Sequence, residues 1–142
     1  MPTIKPGQGI LAEHINQKLD SIMRKVSGSP PVGTGGSFGD AVDLAPPSDY
    51  GRLHPFSVKI EVSGIASGET ITVRITAVYS DNSSQSVDKS YTTDGTYYLD
   101  IGDLHALYKD GVYIKKLQAQ ASSDQSSTSA SVTVEVAGLL GG

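Results

Sequence analysis

The groups with which this chain could do chemistry are three histidines and a scatter of serines and carboxylates; it has no cysteine. His14, His54 and His105 fall in three separate segments. Hydrolysis needs a base, an orienting acid and a nucleophile converging on one point. No Ser is expected on a nucleophile elbow, the sharp strand-to-helix turn that lifts a hydroxyl toward its base. The pattern H-E-x-x-H, which sets two imidazoles on one helical face for zinc, is absent. Asp81-Asn82-Ser83 puts three oxygen donors in a row but lacks the repeated acids and closing Glu of a calcium loop. Gly33, Gly35, Gly36 and Gly39 cluster, yet no expected strand precedes them and no Gly-Lys-Ser/Thr follows, and a phosphate cradle needs both. Without Cys there is no disulfide, thiolate ligand or thiol nucleophile. The expectation is a non-enzyme with no catalytic residue, cofactor or metal.

A better-defined pattern lies near the start. Ala12, Ile15, Leu19, Ile22 and Val26 recur at spacings of 3, 4, 3 and 4, an a/d seam. Ile10, Leu11 and Met23 extend and widen it. The spacing predicts an amphipathic helix over residues 10 to 26. Glu13 falls in its first turn and Arg24-Lys25 in its last, each favourable to the helix dipole, and Ser27-Gly28 supplies the stop. A helix of two heptads is marginal alone in water. Its stripe (Ile10, Leu11, Ala12, Ile15, Leu19, Ile22, Met23 and Val26) must therefore be covered, by the chain's own β-region or by other chains. The next segment favours other chains. Residues 27 to 54 hold six Gly and four Pro, with a weak Val42-Leu44 pair as the only periodicity. Such composition reads as an extended connector.

From residue 55 the period changes to two. Phe56, Val58, Ile60 and Val62 alternate with polar residues, as do Ile71, Val73, Ile75, Ala77 and Tyr79. A polar edge strand is expected over 84 to 91. Tyr97, Leu99 and Ile101 make another strand, and Asp103 caps a single helical turn. In the segment from Val112 to Ala121 the apolar parity switches, which a β-bulge near Lys115-Lys116 would reconcile. Val132, Val134 and Val136 close the series. The fold expected is mainly β: an antiparallel immunoglobulin-like β-sandwich preceded by a short N-terminal helix and an extended linker. Its parts are an arm and anchoring helix (1–28), a Gly/Pro-rich linker (29–54), the sandwich (55–138) and a frayed tail (139–142).

Composition narrows the partners. Eleven Lys and Arg against fifteen Asp and Glu leave a net charge of −4, and without a basic block nucleic acid is not an expected partner. The first residues hold no hydrophobic signal-peptide core, and no apolar run reaches the ~18 residues of a membrane span, so no membrane is expected and synthesis in a cytoplasm is. Seven Tyr and no Trp are a modest supply for stacking sugars.

The segment KPGQGILAEHINQKLDSI resembles an opening found in tailed-bacteriophage virion proteins, through Pro6, Gly7, Ile10, Leu11, Ala12, Ile15, Asn16, Leu19 and Ile22. The resemblance covers under a fifth of the chain. It implies a capsid-decoration, head-fibre or tail-fibre protein located in the virion. Its N-terminus would bind other virion proteins (capsid, tail or neck subunits), and an immunoglobulin-like domain would project outward. The absence of repeats and shaft favours a compact decoration or collar protein over a long fibre. A homo-oligomer is expected, with a trimer as one form. The alternative is a carbohydrate-binding or adhesin module whose sandwich loops take a host-surface glycan.

Overall fold

A computed structural model of the chain describes residues 23–44 and 52–141, and these are mainly β. Among them the order is β1 (Met23–Gly28), β2 (Val32–Gly33), β3 (Val42–Asp43), β4 (Arg52–Ser63), β5 (Ile71–Tyr79), β6 (Ser84–Tyr91), β7 (Gly95–Tyr98), a short helix α1 (Ile101–Ala106), β8 (Ile114–Ser123) and β9 (Ser131–Gly141). The strands fall into two halves. In one, β1, β9, β4 and β7 lie side by side, each antiparallel to the next. In the other, β6, β5 and β8 are antiparallel, and β2 and β3 line the far edge of β8. A single bridge from Leu53 to Ile114 joins the halves at the start of β4. A register shift between Pro55 and Ser57 marks where β4 changes its course.

The period-two sequences explain the packing. Along β5, Ile71, Val73, Ile75, Ala77 and Tyr79 are buried while Thr72, Arg74, Thr76 and Val78 take the other face. Val58, Ile60 and Val62 of β4, Leu117, Ala119 and Ala121 of β8, and Val132, Val134 and Val136 of β9 bury into the same core. Each half thus hides one face against one shared core, consistent with a β-sandwich. The parity switch in β8 is the expected bulge: Lys116 pairs with Val78 and Ile114 with Tyr79, leaving Lys115 unmatched, so Ile114 and Leu117 both face inward.

Four features differ from expectation. Residues 23–28 form a strand, not the end of a helix. Met23 and Val26 therefore belong to β1, paired residue by residue with β9 from Leu139 to Val134, and Val26 is buried in the core. A 3,4 spacing and a period-two spacing share positions over so short a stretch, and a six-residue ladder on an open edge outweighs two turns' worth of helix propensity. Ile10, Leu11, Ala12, Ile15, Leu19 and Ile22 lie outside the described residues.

The second difference is the expected connector. Residues 29–44 run as a strap along β8. Val32 and Gly33 pair in parallel with Ala121 and Ser122, and Val42 and Asp43 antiparallel with Ala119 and Gln118. The amides of Gly39 and Leu44 donate to the carbonyls of Ala121 and Leu117. Leu44 and Pro30 are buried. The glycines answer to space: a Cβ on Gly33 would stand 2.1 Å from the Ser37 carbonyl oxygen, and one on Gly39 2.4 Å from that of Pro31. Third, residues 52–54 open β4 and residues 139–141 close β9, where linker and tail were expected. Fourth, Asp100, not Asp103, caps α1, accepting the Asp103 amide at 2.8 Å. That cap ends the strand before Ile101.

Candidate functional site

The registers divide the molecule into two ends. At one, Met23 stands opposite Leu139 and Leu139 opposite His54, while Ile114 stands opposite both Leu53 and Tyr79. The starts of β1, β4 and β8 and the ends of β5 and β9 therefore gather there. From β7 the chain enters α1, which packs against β4 and β6 and is tied by Lys89 Nζ to Asp103 Oδ2 at 2.7 Å. The exposed large apolar and aromatic side chains of known exposure lie in the stretch that runs toward this end: Tyr98 (64% exposed), opposite Lys59 midway along β4, Ile101 (77%), and the less exposed Tyr108 and Tyr113. Alternation explains Tyr98, since Tyr97 on the opposite face stacks on Tyr91 with ring centres 4.1 Å apart.

The same end holds Asp81-Asn82-Ser83. Asp81 Oδ1 accepts the Ser83 amide at 2.9 Å and the Ser83 hydroxyl, and Lys109 Nζ donates to Asp81 Oδ2 at 3.2 Å. Lys115 donates to Asn82 Oδ1, and Asn82 itself takes φ of 69°. The carboxylate weighed for calcium is thus occupied by its own chain. The Ser83 hydroxyl and amide, with Lys109, hold Asp81 down from 3.8 to about 2. A depressed carboxyl stabilises the fold above its unfolded pKa and loses that contribution as pH falls through the folded one. Asp81→Asn is therefore expected to lower stability above pH 3.8 and to flatten its fall between there and about pH 2, measured by urea denaturation across that range.

The opposite end is made of turns braced by carboxylates. Asp94 accepts the amides of Gly64 and Ile65 at 3.1 and 2.9 Å, and Asp124 accepts that of Thr70 at 2.9 Å. Glu69, buried, accepts the Ala66 amide at 2.9 Å and the Ser123 hydroxyl. The Ala66 amide, then the hydroxyls of Ser123 and Thr128, hold its carboxyl below the usual range. A cleft of about 270 Å³ beside it is lined by Gly64, Ala66, Glu69, Ser127, Thr128 and Ser129. A second of about 250 Å³ lies between β4, β7 and β9, with Glu61, Ser63, Thr96, Ser131 and Thr133 in its wall. Among the described residues, neither lining contains an aromatic ring or a histidine.

Gly35-Gly36-Ser37-Phe38-Gly39 fits the letters G-x-S-x-G, contrary to the expectation that no Ser has that setting. Its context is not an elbow. Ser37 lies in the loop between β2 and β3, with no helix following, and its amide closes a turn on Thr34. Phe38 beside it stacks on the Arg74 guanidinium at 4.2 Å. The amide of Gly36 ties this loop to Ser123 at the braced end, whereas exposed His105 sits in α1 at the other. Among the described residues no three His, Asp or Glu are grouped to hold a metal. Sequence reasoning missed the exposed Tyr98–Ile101 stretch; the available signal was Asp100, a strong helix-capping residue placed between two apolar ones. No protein-family model matches the chain, and no curated protein matches it significantly.

Proposed function

We propose that the chain is a non-enzymatic structural protein of a tailed-bacteriophage virion, of the capsid-decoration or collar and fibre kind. Residues 10–22 attach it to other virion subunits and to copies of itself, and an immunoglobulin-like sandwich is displayed from them. The observation that carries this reading is the polarity of the domain. Its exposed large apolar and aromatic side chains occupy one stretch, 98–113, which runs from the middle of β4 to the end where β1 starts, and its other end is a set of polar, carboxylate-braced turns. Ile22, the last residue of the seam before β1, is one peptide bond from Met23, which stands at the apolar end by its pairing with Leu139. An apolar end joined to an apolar seam suits attachment there and exposure of the rest. Each large residue of the seam contributes about 1.5–3 kcal/mol when fully buried, so three or four per copy hold an assembly firmly.

The carbohydrate-binding alternative draws less support, because the two clefts offer hydroxyls and a carboxylate but no ring on which a sugar face stacks. Light scattering on the size-fractionated chain tests the preferred reading. The whole chain is expected to run as an oligomer, and Leu19→Asp with Ile22→Asp as a folded monomer. A whole chain that stays monomeric overturns the self-association.

A further inference from the structure

We propose that the Asp110-Gly111 bond is a site of spontaneous backbone isomerisation, singled out by the fold from other bonds of the chain that carry the same chemistry. In this reaction the amide nitrogen of the residue after an Asp or Asn attacks the side-chain carboxyl or carboxamide carbon. The new N–C bond closes a succinimide ring, and water leaves from Asp or ammonia from Asn. A second water then opens the ring at either carbonyl. Opening at the backbone carbonyl leaves an isoaspartate, in which the main chain runs through the side chain and is longer by one atom. From Asp one water is lost and one is gained, and nothing is oxidised or reduced. Ring closure is easiest where the following residue is small, because a side chain there crowds the attacking nitrogen.

Among the described residues, Asn82-Ser83, Asp94-Gly95 and Asp110-Gly111 join such a side chain to a following Gly or Ser. The fold treats them differently. The Asp94 carboxylate accepts the Gly64 and Ile65 amides at 3.1 and 2.9 Å, and Gly95 is paired with Val62 in the sheet. At Asn82 the side-chain oxygen accepts from Lys115, and the attacking nitrogen, the Ser83 amide, donates to Asp81 Oδ1 at 2.9 Å. Both pairs are fastened to other partners. Asp110 is exposed, and no described residue binds its carboxyl group. Gly111 is exposed too, and a Cβ built on it meets nothing within 4 Å. The Asp110 side chain is therefore free to swing onto the Gly111 nitrogen, and water reaches the ring. Intramolecular attack depends steeply on reaching the reactive geometry, and a misplacement of about 1 Å costs roughly a hundredfold in rate. The added atom falls between two fixed points. Lys109 is bound to Asp81 at 3.2 Å, and the Tyr113 carbonyl accepts the Ser80 amide at 2.8 Å. Conversion thus alters the join between α1 and β8.

The test incubates the full chain in buffer made with heavy-oxygen water, then maps its peptides by mass spectrometry after digestion in ordinary water. The peptide carrying Asp110 is expected to gain one heavy oxygen and to split into two isomers of equal composition. The peptide carrying Asp94 is expected to do so about ten- to a hundredfold more slowly. In guanidinium chloride, which frees both carboxyl groups, the two rates are expected to converge. Asp110→Ser is expected to remove the first signal and leave the second unchanged. Equal rates at Asp94 and Asp110 in the folded chain, or no label at Asp110, would overturn the proposal. So would a difference that persists in denaturant, since the local sequence and not the fold would then set it.

Discussion

Removing residues 1–51 is expected to abolish cooperative unfolding, whereas removing residues 1–22 is expected to preserve it. The shorter deletion leaves every described residue in place. The longer one strips β1 from β9, and with it six paired residues. It also strips the strap from β8, losing the amide bonds of Gly39 and Leu44. Val26 and Leu44 leave the core, at about 1.5–3 kcal/mol each for full burial. Their loss exposes the apolar neighbours they covered, and domains of this size hold only about 5–15 kcal/mol in all. Two sheet edges, on β8 and β9, are then bare and open to intermolecular pairing. Urea denaturation followed by circular dichroism separates the cases. A sharp transition in residues 52–142 would show that β1 and the strap are accessories.

Tyr79 carries the second large effect. It is fully buried at the end of β5, and its hydroxyl donates to the Leu107 carbonyl at 2.7 Å, with Gln85 Oε1 3.1 Å away. The ring fills the core where β5, β8 and the segment after α1 meet, and the hydroxyl fastens that segment. Tyr79→Phe keeps the ring and leaves a buried carbonyl without its donor, a cost of about 1–3 kcal/mol. Tyr79→Ala removes the ring as well, and the cavity raises the cost to about 3–5 kcal/mol. The ordering Ala well below Phe, and Phe below the unaltered chain, is expected in denaturant midpoints at constant slope. Equal midpoints for Phe and the unaltered chain would mean that the Leu107 carbonyl finds water.

The strands from β4 to β9 were legible because alternation is a local property and both neighbours in a sheet demand the same one. Even the bulge at Lys115 could be read, since a slip of one residue shows as a break in parity between Ile114 and Leu117. The first part of the described chain was not legible, for a different reason in each piece. Val26 satisfies a helical and an extended pattern equally, and the choice was made by β9, more than a hundred residues away. Glycines 33 and 39 look like freedom in a composition count, but the backbone passes too close to its own carbonyls there for any side chain. Pro30 looks isolated in sequence, and Leu44 no more than weakly paired with Val42, because their neighbours in the core come from other strands. The stretch at Tyr98–Ile101 was hidden by parity itself: Ile101 continues the rhythm of Tyr97 and Leu99, and only the capping geometry of Asp100 lifts it out of the sheet.

The pairing of β1 with β9 has a mechanical consequence. β1 enters at the apolar end and runs toward the braced turns, and its ladder lies along that axis. A pull on the chain N-terminal to β1, resisted at the far end, slides β1 lengthwise past β9. The load is then shared by the whole row of backbone bonds at once instead of peeling them one after another. A domain pulled this way yields in shear, the stiffer direction, so the point at which the chain enters the sheet also sets the domain's resistance to force applied there.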